Sequence, residues 1–268
     1  MSRETSDARL QTSQFRLHSS AFVEAIVLDI EGTTTAMAFV CEVLFPFARR
    51  RLRAYLLDPE HRHALREPLR RLRDEWTADP DAARDDGTAD CPWGAGSQNL
   101  ESAATYVEWL MDRDRKSPGL KLLQGMIWDE GYRSGELKGE VFPDVPPALG
   151  RWRDAGIHVA IYSSGSELAQ RLLFGSTASG DLTPLIARFF DTAVGAKQVA
   201  DSYRRIAREL DLAADRMLFI SDVVAELDAA SEAGCQVMLC VRPGNRPQPT
   251  HGYRVIESFD DIDGSHRT

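Results

Sequence analysis

From Val141 onward, short apolar runs alternate with amphipathic stretches, and this pattern limits the fold of the 268-residue chain more than any other feature. The runs His158–Ser163, Phe189–Thr192, Met217–Ser221 and Gln236–Val241 predict strands. Between them, Val145–Asp154, Glu167–Phe174, Ala200–Leu210 and Val224–Ala233 predict helices. Such alternation predicts a parallel sheet with helices on both faces. Gly156, Gly175 and Gly234 fall where the helices are expected to stop. An earlier run, Ala25-Ile26-Val27-Leu28-Asp29-Ile30, predicts one more buried strand that opens into a loop at Gly32.

That first strand is separated from the others by a block of different texture. From about Cys41 to Arg133, apolar residues recur at helical spacing: Leu44, Phe47, Ala48 and Leu52, then Leu65, Leu69 and Leu72. Further helices are expected from about Asn99 to Met111 and from Leu120 to Tyr132, and Ala78–Gly96 reads as a long loop. The fold class is therefore α/β, a doubly wound parallel sheet with an all-helical domain inserted after the first strand. The expected boundaries are a flexible tail at 1–21, an α/β core at 22–40 and 138–262, and the helical insertion at 41–137.

Charge narrows the partners. A formal net charge of -9 argues against nucleic acid, because phosphate backbones are bound by surplus Lys and Arg. An anionic substrate would need a local source of positive charge, which a metal ion supplies. The four cysteines, Cys41, Cys91, Cys235 and Cys240, show no paired zinc spacing. No apolar run approaches the roughly 20 residues that cross a bilayer, and no leader pattern opens the chain. A monomer in a reduced, cytoplasmic setting, without membrane contact, is expected.

In open parallel sheets, ligands sit beyond the carboxyl ends of the strands. Four constellations fall at such ends. Asp29-Ile30-Glu31-Gly32-Thr33-Thr34 offers two carboxylates on one side of a strand end. One carboxylate can attack phosphorus, and the other can bind a metal or transfer a proton. Alone, the hexapeptide is equally well an exposed strand-to-loop transition. Tyr162-Ser163-Ser164-Gly165-Ser166 brings hydroxyls and free helix amides together as a phosphate cradle, or merely caps a helix through Ser164 or Ser166. Lys197 follows Val194-Gly195-Ala196 and can offset phosphate charge; a lone lysine before a helix is more often solvated.

The fourth constellation is Ser221-Asp222 after Leu218-Phe219-Ile220, with Glu226 beyond it. Asp222 can complete a metal site with the first pair, or cap a helix. Two carboxylates ~4 Å apart repel by roughly 4 kcal/mol at an effective dielectric near 20, so a shared Mg²⁺ is the simplest remedy. Glu226 reads either as a partner behind the ligands or as a surface acid. His61 and His63, two apart on a helix, face different ways and make no metal pair. The arginines from Arg49 to Arg73 read as a solvated helix face.

Taken in this order, the four constellations resemble the haloacid dehalogenase-like hydrolases. The stretch Asp29-Ile30-Glu31-Gly32-Thr33-Thr34-Thr35 is similar to the enolase-phosphatase family within them. So are Tyr162-Ser163-Ser164-Gly165-Ser166, Leu173-Phe174-Gly175 and Val241-Arg242-Pro243-Gly244-Asn245. In the insertion, Asp114-Arg115-Lys116 and Leu123-Gln124-Gly125 are also similar to that family. The resemblance implies enolisation and then dephosphorylation of 2,3-diketo-5-methylthiopentyl 1-phosphate, a step of methionine salvage. It implies Asp29 and Glu31 as catalytic residues and Asp29, Glu31 and Asp222 as magnesium ligands. Ser163, Ser164 and Lys197 become contacts to the substrate phosphate, and the insertion becomes a cap. Ala36-Met37 stands where relatives usually have proline after the threonines, which predicts a looser way into the cap. The competing expectations are a phosphatase of the same superfamily for another small phosphorylated metabolite, and a non-catalytic binding protein on this fold.

Overall fold

A computed structural model of the chain describes residues 22–79 and 100–262. The predicted N-terminal tail and most of the Ala78–Gly96 loop lie outside the described residues. Among the described residues, six strands form one parallel sheet: β1 (Ala25–Leu28), β2 (His158–Tyr162), β3 (Arg188–Phe190), β4 (Met217–Ser221), β5 (Gln236–Cys240) and β6 (Val255–Ile256), in the order β3-β2-β1-β4-β5-β6. The first strand in the chain thus lies inside the sheet, between β2 and β4.

Register decides where the chemistry falls. Leu28 pairs with Ile161 on one side and Ile220 on the other. The residues that follow these three therefore emerge at one edge, with neighbouring strands about 4.8 Å apart. Asp29, Ser163 and Asp222 all lie within two residues of those pairs.

Alternate strand residues enter two cores, which explains why the strands read as unbroken apolar runs. Ile26, Leu28, Ile161 and Ile220 pack on one face with Trp152 and Phe174. Val27, Ala160 and Phe219 pack on the other with Tyr203 and Leu227. The helices of the second half are α5 (Val145–Asp154), α6 (Glu167–Gly175), α7 (Ala200–Glu209) and α8 (Val224–Glu232).

Between β1 and β2 the described chain is helical throughout. A π-helical turn at Phe39–Leu44 leads into α1 (Phe45–Leu57), followed by α2 (Arg66–Ala78), α3 (Leu100–Asp112) and α4 (Pro118–Ser134). The Trp128 indole N–H donates to the Leu44 carbonyl at 2.9 Å, which satisfies an acceptor at the π-to-α junction. Leu52, Tyr106 and Leu123 of this region belong to the same apolar cluster as Ile26 and Leu28.

The structure departs from expectation in four places. β6 was not predicted, because two residues carry no period. The π-helical turn has no signature of its own. Gly175 is the last residue of α6 rather than its stop, whereas α5 and α8 do end just before Gly156 and Gly234. β1 stops at Leu28, so Asp29 and Glu31 are set by a loop instead of strand alternation.

Candidate active site

The loop after β1 closes on itself. The amides of Thr33, Thr34 and Thr35 donate to the Ile30 carbonyl at 3.1, 3.0 and 2.9 Å, and Gly32 N–H returns to the Thr35 carbonyl at 2.8 Å. Gly32 holds φ +75, and a Cβ there would lie 2.3 Å from Asp222 Oδ2, so no larger residue fits. Thr34 and Thr35 bind this loop to the chain returning from the insertion. The Phe142 amide donates to the Thr34 carbonyl at 2.9 Å, and Thr35 Oγ1 donates to the Glu140 carbonyl at 2.8 Å. These bonds join the residues just before Ala36 to residues 140–142.

Asp29 is buried with both carboxylate oxygens held. Oδ1 accepts from the Ile30 amide at 2.8 Å and from Lys197 Nζ at 2.5 Å. Oδ2 accepts from Ser221 Oγ at 3.1 Å. Lys197 also meets Glu226 Oε2 at 2.7 Å, with only 9% of its side chain exposed. Burial works against its ammonium, but the charges of Asp29, Glu226 and Glu31 prevail and hold its pKa above the ordinary value. The turn that delivers Lys197 is tied from α7: Ser202 Oγ donates to the Ala196 carbonyl at 2.8 Å and the Tyr203 hydroxyl to the Lys197 carbonyl at 2.7 Å.

Glu31 turns toward β2. Ser163 Oγ lies 3.2 and 3.4 Å from its two carboxylate oxygens and accepts from the Gly165 amide at 3.0 Å. Burial, then the Asp29 charge, raises the Glu31 pKa. Ser163 is buried at the loop base, while Ser164 is exposed beside it. Ser166, not Ser164, caps α6, accepting from the Ala169 amide at 3.2 Å. From the insertion, Lys121 of α4 reaches Asp191, just past β3, at 3.1 Å.

Asp222 is buried, and its Oδ1 has no hydrogen-bond partner. Burial, reinforced by Asp29, pushes its carboxyl up to about 7. Four acids, Asp29, Glu31, Asp222 and Glu226, thus crowd around the single ammonium of Lys197. Among the described residues, no three His, Cys, Asp or Glu side chains stand as a ready cation cage. Mg²⁺ does not need one, since it keeps several waters and takes one or two carboxylates. The unpartnered Asp222 oxygen and the surplus of acid fit such an ion.

Two members of the cluster carry more than their sequence suggested. Glu226 is buried, bridges Lys197 and Ser221, and is pushed up to about 7 by burial and by Asp29. Its four-residue spacing from Asp222 on α8 was the available signal. Ser221 sits between Asp29 and Glu226, and nothing in an apolar strand marks such a serine. His61 stacks on Tyr55 with centroids 3.8 Å apart and pairs with Glu130, and Cys235 and Cys240 are buried. Cys91 lies outside the described residues. No described helix is long and apolar enough to cross a membrane.

Residues 23–234 match the sequence profile of the haloacid dehalogenase-like hydrolases. The chain is 46% identical over 244 residues to enolase-phosphatase E1 of Synechococcus elongatus, covering 90% of this chain and 98% of that one. It is 44% identical to a Vitis vinifera protein named probable bifunctional methylthioribulose-1-phosphate dehydratase/enolase-phosphatase E1 1, covering 88% of this chain and 46% of that one. Among solved structures, the UTR4 protein of Saccharomyces cerevisiae superposes with a TM-score of 0.66 at 32% identity, over 88% of this chain and 98% of that one. The chain is a phosphatase-type hydrolase, and it belongs to the enolase-phosphatase E1 family of the haloacid dehalogenase-like hydrolases.

Proposed function

We propose that the protein enolises 2,3-diketo-5-methylthiopentyl 1-phosphate and then removes its phosphate, releasing the acireductone in methionine salvage. The kinship to enolase-phosphatases supports the reaction, and the name of the Vitis vinifera relative supports a methylthio substrate. The single observation that carries the phosphatase half is Asp29: a buried carboxylate fixed by an ammonium, a hydroxyl and an amide, just past the carboxyl end of β1.

In this reading one Asp29 oxygen attacks phosphorus in line, the bond to the substrate's ester oxygen breaks, and water later cleaves the aspartyl-phosphate. Lys197 offsets charge on the phosphoryl oxygens, and Ser163 and Ser164 hold them. Glu31, whose raised pKa favours the protonated form, donates a proton to the leaving oxygen. As a carboxylate it can also serve as the base for enolisation. The Asp29 and Asp222 carboxylates would hold Mg²⁺, which would supply charge neutralisation and Lewis acidity there. Glu31 remains available as the third ligand, because one serine hydroxyl leaves acceptor sites free on its two carboxylate oxygens. The helices from Cys41 to residue 137 form the cap, and 22–40 with 138–262 form the catalytic core. The protein acts as a cytoplasmic monomer on this small metabolite.

The test follows inorganic phosphate and enol absorbance together on the methylthio diketone phosphate. Both signals are expected, with the enol first. Phosphate release without any enol signal would reject the bifunctional reaction and leave a phosphatase for another metabolite.

A further inference from the structure

We propose that Gln248 is a positioning residue for the divalent cation, the last grip of a segment after β5 that fixes the Asp222 turn against the Asp29 loop. The inference rests on the reading of Asp222 as a metal ligand.

The Gln248 carboxamide closes the Asp222 turn from outside. Its Nε2 donates to the Asp222 carbonyl, and its Oε1 accepts from the Val224 amide at 2.9 Å. Helix α8 has no side-chain cap from Val223, its own N-cap residue, so Gln248 takes that place from a different part of the chain. Three residues earlier, Asn245 Nδ2 donates to the Gly32 carbonyl at 2.9 Å. Arg242 Nε donates to the Thr33 carbonyl at 3.1 Å, and its other nitrogens are held by Asp144 and the Glu257 carbonyl, both at 2.8 Å. Arg242, Asn245 and Gln248 therefore grip both acidic loops, Gly32-Thr33 on one side and Asp222–Val224 on the other.

The two loops are joined at their base, where the Asp29 amide donates to the Ile220 carbonyl at 3.0 Å and Ser221 Oγ to Asp29 Oδ2 at 3.1 Å, and Gln248 acts beyond that base. Gly32 lies against the Asp222 carboxylate, whose Oδ1 has no partner. The direction of that oxygen is therefore set by the backbone of residues 222–224, which is what Gln248 holds. Mg²⁺ demands near-ideal octahedral geometry, so a small rotation of this turn weakens binding. Removing a partner that orients a ligand typically costs about 10–100-fold in metal affinity.

The test is Mg²⁺ titration calorimetry on the full chain, comparing wild type, Gln248→Met and Asp222→Asn well below their melting temperatures. Met matches Gln in length and lacks both hydrogen bonds. The expected result is wild-type binding, a Kd raised on the order of 10-fold or more in Gln248→Met, and no binding in Asp222→Asn. A wild type that binds no Mg²⁺, or an Asp222→Asn variant that binds normally, overturns the metal reading and this inference together. Binding by wild type with an unchanged Kd in Gln248→Met overturns the role of Gln248 alone. If Gln248→Met does not fold, amide exchange in the wild type decides. Linkage is reciprocal, so saturating Mg²⁺ should slow exchange at Val224 relative to EDTA, and equal rates overturn the proposal.

Discussion

Lys197 and Arg53 each face two carboxylates at similar distances. Lys197 lies 2.5 Å from Asp29 and 2.7 Å from Glu226, with 9% of its side chain exposed. Arg53, on α1, lies 2.6 Å from Glu101 and 2.7 Å from Glu108 of α3, with 46% exposed. Contact distance does not distinguish the two. Surroundings do: solvent weakens the Arg53 pairs, while burial at the strand ends leaves Lys197, among the described residues, as the one ammonium beside four acids. Removing the Arg53 charge should be nearly silent, and removing the Lys197 charge should be felt in both rate and stability.

The sharpest way to break that contrast is Asp29→Asn, an isosteric change that keeps the floor packed but removes the nucleophile. Turnover is expected to fall by at least about 10⁴-fold, as for other enzymes deprived of an attacking group. No phosphate should remain on the protein after acid quench with labelled substrate, whereas wild type should trap some at Asp29. Full activity in Asp29→Asn would end the covalent mechanism.

Lys197→Met comes next and has two readouts. Loss of a preorganised cation at the phosphoryl oxygens is expected to lower kcat by about 10²–10³-fold. The same change leaves Asp29 and Glu226 buried without a counter-charge, which typically costs about 3–5 kcal/mol, measurable by urea unfolding. Lys197→Arg should not restore either property, because a guanidinium fork does not fit the place of a compact ammonium. A stable, merely slower Lys197→Met would mean that the neighbouring acids had already neutralised themselves.

The same contrast explains what could be read from residues alone. Lys197 was found because it follows a strand, and Asp29, Ser163 and Asp222 for the same reason: strand ends of a parallel sheet share an edge. That topology follows from apolar periodicity, which is a one-dimensional signal. Glu226 reads equally as buried or surface, since a single acid on a helix shows its face only when the helix is packed. Ser221 and Gln248 had no signal at all, because a hydroxyl inside a strand and an amide in a loop acquire meaning only from what lies across from them. Glu31 was expected beside Asp29 on one strand face, yet the strand had ended at Leu28. Its turn toward Ser163 depends on Gly32, whose positive φ no periodicity announces. The arginine-rich face was legible for the opposite reason: solvent makes few demands.

A smaller effect sharpens the contrast through pH. In the metal-free protein, burial and Asp29 push Asp222 up to about 7 and Glu226 likewise. A carboxyl with a raised folded pKa binds its proton more tightly folded than unfolded. Its stabilising contribution is complete below the unfolded value, about 4, and is lost as pH rises toward about 7. In EDTA, Tm of wild type should therefore decline across this window more steeply than Tm of Asp222→Asn, which lacks one of these protons. Saturating Mg²⁺ should erase the difference in slope for wild type, because the ion binds the ionised form. Parallel Tm profiles in EDTA would show that Asp222 is ionised and accommodated without a cation.

The smallest expected effect is at Arg53. Its guanidinium donates to Glu108 at 3.0 and 2.7 Å and to Glu101 at 2.6 Å, a better hydrogen-bonding arrangement than Lys197 has. If bond count governed, Arg53→Met would be the more damaging substitution. With half of the side chain in water, the pairs exchange one set of solvated contacts for another and gain little beyond the order they impose. Arg53→Met is expected to lower stability by about 0.2–1 kcal/mol, with kcat and KM unchanged. Near 1 M salt the Debye length shrinks to about 3 Å, and even that difference should vanish. A loss above about 2 kcal/mol that persists in high salt would mean that the α1–α3 surface is dry in solution, and the distinction drawn from exposure would fail there.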